Sequence, residues 1–152
     1  MANFVIDTNV WVMPDREIHT LDTLPLVACA ETCREWLVAL RTGESQAVVD
    51  DTYTIVGEYR RNLRQGGFGE KILNELMKTG RLIYRSASQL PGELGLEHFD
   101  PSDQKFVAVA LASDPPDPIV NAVDSDWNEH HATLAQAGLT IIELCPDCIA
   151  DG

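Results

Sequence analysis

The chain has 152 residues, 45% of them hydrophobic, enough for one globular domain with a proper core. Its formal net charge of −13 argues against nucleic-acid binding by bulk electrostatics, because phosphate contacts draw on a basic face. No segment approaches the roughly 20 apolar residues of a membrane span, and the N-terminus opens into a strand rather than a secretory leader, so a cytoplasmic protein is expected.

Residues 3–7 read as a first strand, and residues 28–42 as a helix. That helix carries Cys29, Cys33, Trp36, Leu37 and Leu40 on one stripe and ends at Gly43. Residues 47–50 form a second short strand. Asp51 or Thr52 can then cap a helix running to Leu63, with Ile55, Val56, Tyr59 and Leu63 as its apolar stripe. Gly66-Gly67 breaks it, a further helix covers 69–79, and Leu82-Ile83-Tyr84 is a third strand. Residues 86–100 lack periodicity and read as a loop with a helical turn.

A strong helix then starts, with Asp100 as cap, Pro101 at its first position and an alanine- and valine-rich run to Ala112. The segment Asp114-Pro115-Pro116-Asp117-Pro118 is a rigid connector into a strand over 119–123. A helix over 128–137 stopped by Gly138, a strand over 140–144 and a short tail over 145–152 complete a single domain spanning 1–152. Strands alternate with helices throughout and nothing repeats, which predicts an α/β fold with a mostly parallel sheet.

Three of the apolar runs finish in aspartate, at Asp7, at Asp50-Asp51, and at Asp124 and Asp126. In an open parallel sheet, ligands gather beyond the carboxyl ends of the strands. Carboxylates delivered to one edge repel unless a cation or protons intervene, which hints at a metal site.

Asp7 stands where the first strand emerges, with no lysine or arginine near it in sequence; a turn or cap role is the plain alternative. Glu58 borders the apolar stripe of its helix, with a surface ion pair to Arg60 or Arg61 as its alternative. Gly57 beside it weakens the helix and suggests close packing or access. Asp103 opens a helix whose Phe106 and Val107 follow at plus three and plus four, so it projects from the core-facing side; the helix dipole alone would also favour an acid there. Asp124 and Asp126 are two apart and in extended geometry face the same side.

Charge is unevenly spread. Residues 60–85 hold seven of the eleven basic residues, whereas 86–152 hold twelve acids and one base, Lys105. An acidic body with one basic arm can steer a polyanion toward a cation-filled pocket, although a solvated helix face accounts for any single arginine. Cys29 and Cys33 lie on a helix and Cys145-Pro146-Asp147-Cys148 is a C-x-x-C. The spacing matches no common zinc ribbon, and the tail motif does not open a helix after a strand as a thioredoxin-like site would, so free thiols are expected. His130 and His131 sit beside Trp127 with no pattern that recruits them as ligands.

Ile6-Asp7-Thr8-Asn9, Glu58-Tyr59, Ser102-Asp103-Gln104-Lys105-Phe106-Val107-Ala108 and Val123-Asp124-Ser125-Asp126-Trp127 occur in an order that resembles the PIN-domain family over nearly the whole chain. The resemblance implies a three-layer α/β/α sandwich and a ribonuclease dependent on Mg²⁺ or Mn²⁺. It places Asp7, Glu58, Asp103 and one or both of Asp124 and Asp126 at the metal, with Thr8 and Asn9 in support. Asp7 and Asp103 would be the central ligands, Glu58 and Asp126 would hold a second ion or orient water, and Arg60, Arg61 and Arg64 would contact phosphate. Cleavage would leave a 5′-phosphate and a 3′-hydroxyl by metal-activated water.

Many members are toxins paired with an antitoxin protein, so RNA, an antitoxin and a homodimer are the partners implied. The chain departs from the pattern at Ala122 and Val123, where members often carry threonine and asparagine, and in its extra length over 86–100 and 145–152. Two rival readings stand beside the nuclease. An aspartyl-phosphate phosphohydrolase would also place aspartate after the first strand, but its usual Asp-x-Asp pattern meets Asn9 here. A catalytically silent PIN-like binding module would use the acids only as caps and turns.

Overall fold

The computed structural model describes residues 2–17, 23–90 and 92–149. Strand β1 (Asn3–Ile6) leads into the short helix α1 (Thr8–Val12), a 3₁₀ turn at Met13–Asp15 and the long helix α2 (Leu24–Thr42). Then come β2 (Gln46–Asp50), α3 (Thr54–Asn62), α4 (Phe68–Lys78) and β3 (Leu82–Arg85). A 3₁₀ turn at Gly92–Leu94 precedes α5 (Gln104–Leu111), β4 (Ile119–Asn121), α6 (Asp126–Glu129), α7 (His131–Gln136), β5 (Ile141–Glu143) and α8 (Pro146–Ile149).

All four strand pairings are parallel, in the order β3-β2-β1-β4-β5. The central strands are apolar and buried (Val5, Ile6, Ala47, Val48, Val49, Ile119, Val120), as strands covered on both faces must be. The chain steps outward from β1 through β2 to β3, then crosses back to β4 and β5. Parallel crossovers are right-handed, so reversing the step moves the helices from one face to the other. The arrangement is compatible with three layers, α1 to α4 on one side and α5 to α7 on the other.

Helix boundaries differ from expectation where side chains compete for backbone groups. α2 begins four residues earlier than predicted, because Thr23 caps it (Leu26 N to Thr23 Oγ1, 3.4 Å) with Pro25 in the first turn. The cap of α3 is neither Asp51 nor Thr52. Asp50 turns its carboxylate onto Thr54 N (3.0 Å) and Ile55 N (2.7 Å), with Tyr53 held in the left-handed region at φ 64°. α5 begins at Gln104, not Pro101, because Asp100 Oδ1 accepts from both Ser102 N and Ser102 Oγ (2.9 Å each) and folds residues 101–103 into a turn. β4 stops at Asn121, two residues short, where Asn121 Oδ1 accepts from Asp124 N (3.2 Å) and bends the chain. The helix predicted over 128–137 is two short ones meeting at His130.

The loop predicted over 86–100 is present with its turn, apart from residue 91, which lies outside the described residues, as do 150–152 of the predicted tail. Cys29 and Cys145 are joined in a disulfide, against the expectation of free thiols; Cys33 and Cys148 remain free. Packing of α8 on α2 brings residues 116 positions apart together. Among the described residues no helix is long and apolar enough to cross a membrane.

Two glycines differ in what holds them. A Cβ on Gly69 would overlap the Trp11 carbonyl oxygen, so glycine lets α4 lie against α1. A Cβ on Gly57 would meet only Arg61 Nη1, at 3.4 Å, so the close packing expected there is absent. Gly69→Ala is expected to destabilise the chain by about 1–3 kcal/mol. Gly57→Ala should stabilise it by up to about 1 kcal/mol through helix propensity. Urea denaturation of the two variants checks both signs.

Candidate metal centre

The outgoing connections of β1 and β4, neighbours in the sheet, run to opposite sides, which opens a crevice at their carboxyl ends. Asp7 ends β1 and caps α1. Its Oδ1 accepts from Asn9 N (3.1 Å) and its Oδ2 from Trp127 Nε1 (2.6 Å). Asn9 in turn bridges to the end of β4: Nδ2 donates to Asn121 Oδ1 (3.2 Å) and Oδ1 accepts from Ala122 N (3.0 Å). Asn121, fully buried, donates to the Asp124 carbonyl and to Glu143 Oε2, both at 2.8 Å. This polar network fixes the loops that carry Asp7 and Asp124.

Asp103 stands at the head of α5, 7% exposed, with Phe106 and Val107 fully buried behind it. It makes no capping bond. Its Oδ2 and Trp11 Nε1 are the buried side-chain polar atoms without a hydrogen-bond partner among the described residues. One carboxylate oxygen from each of Asp7, Asp103 and Asp124 lies within 4.8 Å of the other two. Asp103 also belongs to a second such group, with Asp100 and Asp126.

Electrostatics follow from that crowding. Burial pushes Asp7 up to about 6, opposed by the Trp127 and Asn9 hydrogen bonds and reinforced by Asp124 and Glu58. Asp103 is raised to about 9 by burial and then by Asp7, Asp124 and Asp100. Burial, Asp124, Asp100 and Glu129 raise Asp126. Without a cation, Asp103 therefore holds its proton at neutral pH, and Asp7 gives its own up later than an ordinary aspartate. An oxygen-only donor set with a buried, unpartnered carboxylate oxygen equally fits a hard divalent cation such as Mg²⁺ or Mn²⁺.

The structure thus gathers Asp7, Asp103 and Asp124, and puts Asp126 against Asp100 and Asp103. The extended geometry expected for Asp124 and Asp126 is absent: Asp126 N donates to Asp124 Oδ1 (3.0 Å) and the segment turns into α6, yet each still brings a carboxylate oxygen within 4.8 Å of one of Asp103's. Glu58, Thr8 and Asn9 line the same cleft of about 290 Å³ with Asp7 and Asp103. Glu58 joins neither group of converging oxygens. It pairs with Lys105 Nζ (2.8 Å), not with Arg60 or Arg61, and accepts from Thr8 Oγ1. Asp50, predicted at the same edge, is occupied in capping α3.

The basic arm goes largely elsewhere. Arg81 binds the carbonyls of Leu40 and Arg41 at the end of α2, Arg85 pairs with Asp117, and Arg60 Nη2 rests on Met77 Sδ (3.1 Å). Arg60, Arg61 and Arg64 are exposed and none lines the cleft; the arginine that does is Arg16. Sequence reasoning also missed Trp127 and Asn121. A single polar residue inside an apolar strand, Asn121, was the available signal for the second. Comparison with protein-family models, with curated proteins and with solved structures gave no match for the chain.

Proposed function

We propose that the chain is a Mg²⁺- or Mn²⁺-dependent ribonuclease with PIN-like architecture. The observation that carries the reading is Asp103 Oδ2, buried and unpartnered beside the carboxylates of Asp7 and Asp124 at the switch point of a parallel sheet. Asp7, Asp103 and Asp124 would hold the ion, which when bound supplies charge to polarise a phosphoryl oxygen and acidify water.

The remaining roles belong to the chain itself. Trp127 and Asn9 orient Asp7, and the Asn9–Asn121 bond ties the two loops at a fixed separation. Lys105 and Thr8 hold Glu58 at the cleft wall, where its carboxylate can accept a proton from water once Lys105 moves to a phosphate. Arg16 at the rim offers a guanidinium to the backbone of a single strand. Both oxygens of Asp7 already accept hydrogen bonds, which suits an oriented ligand better than a free nucleophile and disfavours the aspartyl-phosphate route.

The direct test incubates the purified chain with single-stranded RNA and with total cellular RNA, in Mg²⁺, in Mn²⁺ and in chelator. Cleavage is expected only with a divalent ion and should leave 5′-phosphate ends. Metal-independent cleavage, or none on any RNA offered, removes the reading.

A further inference from the structure

The four cysteines, two pairs remote from each other in sequence, come together where α8 packs on α2. Cys29 and Cys33 sit one helical turn apart on one face of α2, their Sγ atoms 4.0 Å from each other. Cys145 is bonded to Cys29, and the three sulfurs of Cys29, Cys33 and Cys145 lie within 4.8 Å of one another. Cys148, one turn on from Cys145, borders with Cys29 and Cys145 a small pocket of about 100 Å³ and directs its thiol at the Pro25 carbonyl (3.3 Å).

One disulfide accounts for two of these sulfurs and leaves Cys33 fully buried beside it. Zinc sites of the four-sulfur type draw two ligands from each of two short motifs, with Zn–S near 2.3 Å and hence sulfurs about 3.8 Å apart. The Cys29–Cys33 separation already has that value to within a few tenths of an ångström.

We propose that in the reduced chain Cys29, Cys33, Cys145 and Cys148 bind one Zn²⁺ as a tetrathiolate centre that fastens α8 to α2. Opening the Cys29–Cys145 bond takes two electrons and two protons from a dithiol reductant, which is itself oxidised to a disulfide. Zn²⁺ then displaces four protons from the four thiols and leaves a centre of net charge −2. Cys148 has to rotate away from Pro25, and the Cys29 and Cys145 sulfurs, once their bond is opened, have to part to about 3.8 Å; Cys33 already stands beside both. Soft sulfur ligands select zinc over Mg²⁺, so this centre is independent of the acidic cleft and of the nuclease reading.

The test uses the full chain, reduced with a dithiol and stripped of metal under inert gas. Co²⁺ titration is expected to bring up the intense thiolate charge-transfer and tetrahedral visible bands at one equivalent, bleached by one equivalent of Zn²⁺. Co²⁺ in the acidic cleft would give only weak bands of oxygen coordination. Zn²⁺ should raise the melting temperature of the reduced chain by about 5 °C or more and shield all four thiols from alkylation. Cys33→Ser leaves the disulfide able to form, so the oxidised variant should stay folded and melt no more than about 10 °C below the parent, the cost of one hydroxyl in an apolar site, while the reduced variant, short of one ligand, loses at least about tenfold in Co²⁺ affinity. Thiols that stay open to alkylation in excess Zn²⁺, a Co²⁺ spectrum without thiolate bands, or a disulfide that dithiol cannot open in the folded chain would each overturn the proposal.

Discussion

Asp103→Asn is expected to lower metal-dependent RNA cleavage by roughly three orders of magnitude or more while raising the melting temperature of the metal-free chain. The two halves of that result have one cause. Asp103 Oδ2 is buried and unpartnered beside two further carboxylates, so the side chain suits a cation, and without one the fold must bind a proton there that the unfolded chain has released at neutral pH, which costs stability. Asparagine keeps the shape, removes the charge and can donate to Asp7 or Asp124. An inactive variant with unchanged circular dichroism and a higher melting point separates a ligand role from a folding role. Asp7→Asn should be equally inactive but without the gain in stability. Asp7 accepts from Trp127 and from Asn9, and an amide cannot accept on both sides, so one donor is left unsatisfied. Cleavage by Asp103→Asn within tenfold of the parent would remove Asp103 from the site.

The fold was legible because its signals are local. Short valine- and isoleucine-rich runs, alternating with helices ended by Gly43, Gly80 and Gly138, specify a parallel α/β arrangement without knowledge of any contact. Boundaries were less legible wherever an Asx or hydroxyl side chain has two backbone partners to choose from. Asp100 and Asn121 both chose a turn over continuing the neighbouring helix or strand, and Asp50 chose the amides four and five residues on rather than the acidic edge. Such choices are settled by tertiary packing, since each costs or gains only about 1 kcal/mol locally.

The site divides in the same way. Asp7, Asp103 and Asp124 were readable from their places at the ends of elements, and those places are what bring them together. Trp127 is apolar in any periodicity count, and only the fold shows that its indole N–H reaches across 120 residues to Asp7. Lys105 was the lone base of an acidic half, yet its partner Glu58 lies on a helix nearly fifty residues earlier, beyond any spacing rule. The basic arm was only partly legible, because composition cannot tell an arginine bound to helix carbonyls, such as Arg81, from exposed ones such as Arg61 and Arg64.

The same cluster sets how stability should depend on pH, with the disulfide kept intact. Asp103 and Asp7, raised to about 9 and about 6, keep protons in the native chain that the unfolded chain has released by about pH 4. Wherever the native state binds more protons, stability falls as pH rises, so the metal-free chain should weaken steadily from about pH 4 to about pH 9. Asp126 and Glu143, both raised chiefly by burial, add to the same slope. Asp50 acts oppositely: burial alone would raise it, but Thr52 and the Ile55 and Thr54 amides outweigh burial and hold it low, so its contribution is present above pH 4 and fades as pH falls below. The expected profile is a maximum near pH 4–5 and a loss of about 10 °C or more in melting temperature by pH 9, equivalent to a few kcal/mol. A divalent ion replaces the protons, so saturating Mg²⁺ or Mn²⁺ should stabilise the chain far more at pH 8 than at pH 5. General repulsion within a chain of net charge −13 slopes the same way, and Asp103→Asn tells the two apart. If the cluster is responsible, that variant loses most of the slope above pH 6 and most of the metal response; if diffuse charge is responsible, removing one carboxylate leaves both nearly as they were.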